Sequence, residues 1–287
     1  MIISEFSWDT TGQEEAYIWG KYFGEEKLAL SSLNQILAYT PLVPNWAWHG
    51  SAFGFGDFSN NGVIRGANGG GERVLQHYRS GLNSIPTTEA FLSDPSDLYL
   101  LRLASGSIGG VLANIEAGSG APAMAFHSDA SMLKFDAASG DYGLAFYGHS
   151  HNTMSFLVQH EDFGWLCYWC DLEKTTTAAI TTKQLSLYPR DTYRRTVHIA
   201  PLGLQIVADV GVISSVELTL GAADNGSAEI QAVKVIFAAV GQQALTKYRL
   251  RLNTRSGDHK FVASGVGAVV RGAYDVPIAT PSVEVKW

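Results

Sequence analysis

Near residue 163 the spacing of apolar residues changes. Before it, they recur every three to four positions in stretches bounded by capping residues and glycines. After it, they alternate with polar ones, as in "YRLRLN", where Tyr248, Leu250 and Leu252 alternate with Arg249, Arg251 and Asn253. A period of 3.6 buries one stripe of a helix, and a period of two buries one face of a strand. The chain is therefore expected to be α+β and multidomain, with helices over residues 1–162 and an antiparallel β-sandwich over residues 163–287.

Four segments read as helices. "TTGQEEAYIWGKYFG" has a capping candidate at Thr10 or Thr11, first-turn acids Glu14 and Glu15, and Gly24 as a stop. "EEKLALSSLNQILAYT" places Leu30, Leu33, Ile36 and Leu37 on one stripe and ends before Pro41. "GERVLQHYRSGL" and "DPSDLYLLRLASGSIGGVLANIE" are the other two, the last with Pro95 in its first turn. The intervening "PNWAWHGSAFGFGDFSNNGVIRGANGGG" is too long for a plain connection and reads as a functional loop. Four helices ahead of a sandwich form only a thin layer, so the helical domain looks incomplete.

With 46% hydrophobic and 16% charged residues the chain buries a substantial core. Its charge of −7 is uneven: residues 1–162 hold 17 acids against 7 Lys and Arg, and residues 163–287 hold 10 against 13. The absence of a basic stripe argues against nucleic acid as a partner, and an acidic first half suits a neutral substrate. No apolar run is long enough to span a bilayer, so no membrane partner is expected. Cys167 and Cys170 are three apart, on opposite faces if the strand is regular, so two buried free thiols are expected rather than a disulfide. "GANGGGER" lacks the strand and the Gly-Lys-Ser/Thr ending of a phosphate loop, and no cofactor is expected.

Residues able to do chemistry gather in four places. Trp8, Asp9, Glu14 and Glu15 lie in the opening stretch, and Trp46, Trp48 and His49 in the long loop. His77, Tyr78 and Arg79 follow in "HYRSGLN", then His127, Asp141, Tyr142, His149, His151 and Asn152. Paired carboxylates beside flat aromatics suit glycoside cleavage: one acid protonates the leaving oxygen, the other activates water or attacks the sugar, and rings stack on its C–H face. The plainer reading of Glu14 and Glu15 is pairing with the helix dipole, and that of each histidine is a structural role. His149 and His151 would share a strand face, yet no third ligand has metal-site spacing and no metal is expected. The same His, Tyr, Arg and Asn also suit β-elimination from a uronic acid.

The strings "SWDTTGQEEAYIWGKYFG", "HYRSGLNSIP", "SGDYGLAFYGHSHNT", "HEDFGWL" and "YPRDTYRRTVHIAPLGLQI" resemble the carboxy-terminal part of a family of large proteins, DUF5695, through most of the chain. Its members look like six-hairpin glycosidases, (α/α)6 toroids with β-sandwich domains acting on or binding polysaccharide. The resemblance implies a partial toroid of helical hairpins, a carbohydrate substrate, and an amino-terminal part of the same domain that completes it. It also implies a start inside the toroid, with secretion to the periplasm or exterior encoded upstream. In that frame Glu14 or Glu15 is the acid and Asp141 or Asp9 the second carboxylate. Trp46, Trp48, Tyr78 and Tyr142 form the sugar platform, with Trp8 facing the cleft. His49, His149 and Asn152 bind hydroxyls, with His77, Arg79, His127 and His151 also lining the substrate. A non-catalytic glycan-binding protein and a polysaccharide lyase are the alternatives.

Overall fold

The computed structural model describes residues 12–38, 52–55, 72–75, 77–112, 154–176, 183–191, 193–222, 228–241, 244–267 and 269–287. Contacts divide the chain into two units, Met1–Phe91 with Ser96–Asn152, and Thr153–Trp287 with Leu92–Pro95.

In the first unit, α1 (Gln13–Phe23) has as its N-cap Gly12, at a left-handed φ of 77° and with no side-chain cap, rather than one of the expected threonines, Thr10 and Thr11, which lie outside the described residues. The helix stops where expected, at Gly24 (φ 74°), and the N–H of Glu25 donates to the Gly20 carbonyl at 2.7 Å. Lys21 at its end pairs at 2.9 Å with Glu26, the first residue of α2 (Glu26–Ala38). The two helices approach closely at Gly20, where a Cβ would sit 2.9 Å from the backbone nitrogen of Ala29. That approach turns α2 from its expected orientation: Ala29, Ser32 and Ile36 are buried, Leu33 and Leu37 half-buried, and Leu30 is exposed.

The "GERVLQHYRSGL" segment divides. Glu72–Leu75 forms strand β2, antiparallel to β1 (Ala52–Phe55), and helix α3 (His77–Ser93) begins only after it. Helix α4 (Leu98–Leu112) starts beyond Pro95 and is capped by Asp97, whose carboxylate accepts from the N–H groups of Tyr99 and Leu100 at 3.0 and 3.2 Å.

The second unit is strand-rich. Its strands are β3 (Ser155–His160), β4 (Gly164–Tyr168), β5 (Cys170–Thr176), β6 (Lys183–Pro189), β7 (Thr196–Ile199), β8 (Leu204–Val210), β9 (Val212–Ala222) and β10 (Ala228–Ala238). They continue with β11 (Lys247–Thr254), β12 (Val262–Ser264), β13 (Val269–Val270), β14 (Ala273–Pro277) and β15 (Ser282–Lys286). One sheet has the order β12-β15-β10-β9-β6-β5, the other β13-β14-β11-β8-β7-β3-β4. Leu185, Leu187, Val216 and Leu218 from the first sheet and Leu157, Ile199, Ile206 and Leu250 from the second fill one buried core, the arrangement of a β-sandwich. The pairing is antiparallel except between β3 and β7, which run parallel. Because β3 belongs to this unit, the sheets begin before residue 163. Its first four residues are all buried, so they show no alternation that a period of two could reveal.

The cysteines depart from expectation. Cys167 and Cys170 form a disulfide, with their Cα atoms 5.5 Å apart. The strand between them is not regular: Trp169 has a positive φ of 59°, which ends β4 on one sheet and starts β5 on the other. Alternation is lost at that corner, and the two side chains meet. The Trp169 carbonyl accepts from the Arg190 N–H at 2.7 Å and from the Ser155 hydroxyl at 2.9 Å. Buried Asp191 completes the corner, accepting from the N–H groups of Arg194 and Tyr193 at 2.7 and 3.0 Å.

Candidate functional site

Helix α1 carries both expected acids that the structure describes in full, and it separates them. Glu14 is 5% exposed and lies on the inner face with Ala16, Tyr17 and Gly20, whereas Glu15 is exposed. Adjacent positions on a helix are about 100° apart, so one acid turns inward when its neighbour faces solvent. A Cβ at Gly12 would lie 3.9 Å from Glu15 Oε2, which places that carboxylate over the first turn, where the helix dipole favours negative charge.

The solvent side of α1 is aromatic. Trp19, Tyr22 and Phe23 are 54%, 76% and 68% exposed. Trp19 stacks on Phe23 with ring centroids 5.6 Å apart and planes within 18°, and Tyr22 meets both edge-on, at 5.9 and 5.0 Å. From Glu15 these rings stand four, seven and eight residues on, so the carboxylate heads one continuous row with them. The row is legible in "EEAYIWGKYF" as the i+4 and i+7/i+8 offsets, although spacing alone does not distinguish an exposed aromatic face from a buried stripe.

Behind the row, buried Tyr17 packs on the inner face. Burial first, then the negative charges of Glu89 and Glu26, push its phenol up to about 12, so it stays protonated at any physiological pH. It supplies packing rather than a base.

Among the other expected residues, His77, Tyr78 and Arg79 form the first turn of α3, and their side chains lie outside the description. Trp8, Asp9, Trp46, Trp48, His49, His127, Asp141, Tyr142, His149, His151 and Asn152 lie outside the described residues. Among the described residues no group of three or more His, Cys, Asp or Glu is arranged to hold a metal ion. No described helix is long and apolar enough to cross a membrane.

No curated protein and no solved structure matches the chain. A family model, described as a family of unknown function (DUF5695), matches residues 3–285, nearly the full length. The chain belongs to the DUF5695 family.

Proposed function

We propose that this protein acts on carbohydrate, as a glycoside hydrolase working by carboxylate acid/base catalysis on a polysaccharide or oligosaccharide. The observation that carries the reading is the exposed row on α1, in which a carboxylate precedes three clustered aromatic rings. Sugar rings present C–H faces that stack on aromatic planes and hydroxyls that bond carboxylates, and such a row offers both at once. An exposed aromatic cluster of this kind is costly to keep in water without a use.

In this reading Glu15 or Glu14 protonates the leaving oxygen, and Asp141 or Asp9 activates water or attacks the sugar. The α1–α2 hairpin is one of the hairpins of an (α/α)6 toroid, which the amino-terminal part of the same domain completes. The resemblance to six-hairpin glycosidases supports that arrangement. The protein works outside the cytoplasm, a placement supported by the Cys167–Cys170 disulfide, since such bonds persist in oxidising compartments.

A non-catalytic glycan-binding protein is the second reading, favoured by the same aromatics. Incubation with neutral and uronic polysaccharides separates the classes. A hydrolase releases reducing ends without unsaturated product, a lyase releases unsaturated uronyl ends that absorb in the ultraviolet, and a binder releases neither.

A further inference from the structure

The outer face of the six-stranded sheet holds a groove of about 660 Å³, within the range of ligand sites. Two rows of side chains form its floor. In one, Lys234 of β10 stands between Glu217 of β9 and Glu284 of β15, its register partners, with Lys234 Nζ 3.4 Å from Glu217 Oε2. In the other, Gln184 of β6 pairs with Thr219, which faces Ala232, so small residues deepen the floor beside the charged row. Trp287, 39% exposed, lines the groove too, its indole near the Phe261 ring at a centroid distance of 6.1 Å.

A solvated outer face alternates regularly, one residue out and one in. This one does not. Gln231 is an extra residue in β10, a bulge between the pairs Ile230–Leu220 and Ala232–Thr219, so that two successive residues, Gln231 and Ala232, point outward. The bulge lays the Gln231 amide over Gly221: a Cβ at 221 would fall 1.8 Å from Gln231 Nε2. A bulge that re-aims an amide into a groove, and a glycine that leaves room for it, are two local departures serving one place.

We propose that this groove is a second glycan-binding site, for an uncharged polysaccharide chain. Adjacent sugar hydroxyls each donate and accept, and the row Glu217–Lys234–Glu284 offers acceptor, donor and acceptor in register, with Gln231 and Gln184 able to do both. The ionised side chains of the groove include both signs, so a polyanion gains little there. Trp287 supplies a ring for stacking. The site rests on the carbohydrate reading above but uses none of the residues assigned to catalysis.

The test is titration calorimetry of the full chain against soluble β-glucan, xylan and mannan, with polygalacturonate as the charged comparison. Gln231→Ala, Lys234→Gln and Gly221→Ala are each expected to weaken binding of a neutral polymer about tenfold with unchanged melting temperature. Gly221→Ala is the sharpest variant, because it displaces only the flexible end of Gln231. Unchanged affinity in all three, preference for polygalacturonate, or no binding of any neutral polymer overturns the site. Hydrolysis with unaltered affinity in the variants refutes the groove alone, and affinity lost in the variants without hydrolysis refutes the catalytic reading alone.

Discussion

Asp191 holds the corner at which the chain passes between sheets, and its protonation is open to experiment. It is 4% exposed. Its Oδ1 accepts two backbone N–H groups, while Oδ2 lies 3.2 Å from Ser155 Oγ, which is itself 2.9 Å from the Trp169 carbonyl. A hydroxyl has one hydrogen, so Ser155 cannot donate fully to both oxygens. If Asp191 is protonated the conflict disappears: its O–H donates to Ser155, and Ser155 donates to Trp169. Burial is the largest influence and raises the Asp191 pKa, against the opposing N–H groups of Arg194 and Tyr193 and the Ser155 hydroxyl. A carboxyl raised in the folded state binds its proton more tightly there than in the unfolded chain. Its contribution to stability is therefore full below the unfolded value of about 4 and is lost as pH rises through the folded value. Asp191→Asn reproduces the protonated pattern, with Oδ1 accepting and Nδ2 donating to Ser155. It is expected to match or exceed wild-type stability at neutral pH and to flatten the pH dependence. Asp191→Ala strands two partly buried N–H groups, those of Tyr193 and Arg194, and costs about 1–3 kcal/mol. Urea unfolding midpoints between about pH 4 and 8 measure all three proteins. If the Asn variant lost as much stability as the Ala variant, the carboxylate would be needed in its ionised form and the reasoning would fail.

Gly20→Ala gains roughly 0.5–1 kcal/mol of helix propensity but drives a methyl against the Ala29 backbone, for a net loss of about 1–3 kcal/mol. A thermal melt showing a gain would mean the helices separate freely. Native protein should be lighter than the reduced form by two hydrogens in intact mass and resist alkylation at Cys167 and Cys170. Cys167→Ser, which opens a loop of four residues, should cost roughly 2 kcal/mol; free thiols in native protein would contradict the bond. Trp19→Ala and Tyr22→Ala remove rings more than half exposed, so each should shift stability by no more than about 0.5 kcal/mol. Their glycan affinity should fall about tenfold in a titration, and unchanged affinity would remove the platform from the account.

Local signals in the sequence carried as far as local physics reaches. Gly24 ends α1 because a left-handed residue is needed there, and Tyr248 and Leu250 turn inward on β11 while Arg249 and Arg251 stay at the margin. What long-range packing decides was not legible. The stripe of α2 turned because Gly20 admits Ala29, a fact of the neighbouring helix rather than of α2. The cysteine pairing depended on one residue, Trp169, adopting a backbone that its side chain does not advertise. Strand β3 was hidden because both its faces are buried, and β2 because Glu72–Leu75 is a short segment that only pairing with β1 makes a strand. At the candidate site, the two acids were visible as a pair, but which one faced water followed from the packing of Tyr17 and Gly20.

Release of reducing ends from neutral polysaccharides by the wild-type protein and by Glu15→Gln and Glu14→Gln tests the functional reading most directly. Wild type is expected to release reducing ends from at least one polymer, and one of the two variants to fall about a hundredfold or more, the loss that follows removal of a general acid. Hydrolysis left intact in both variants, or no reducing ends from any polymer, would contradict that reading.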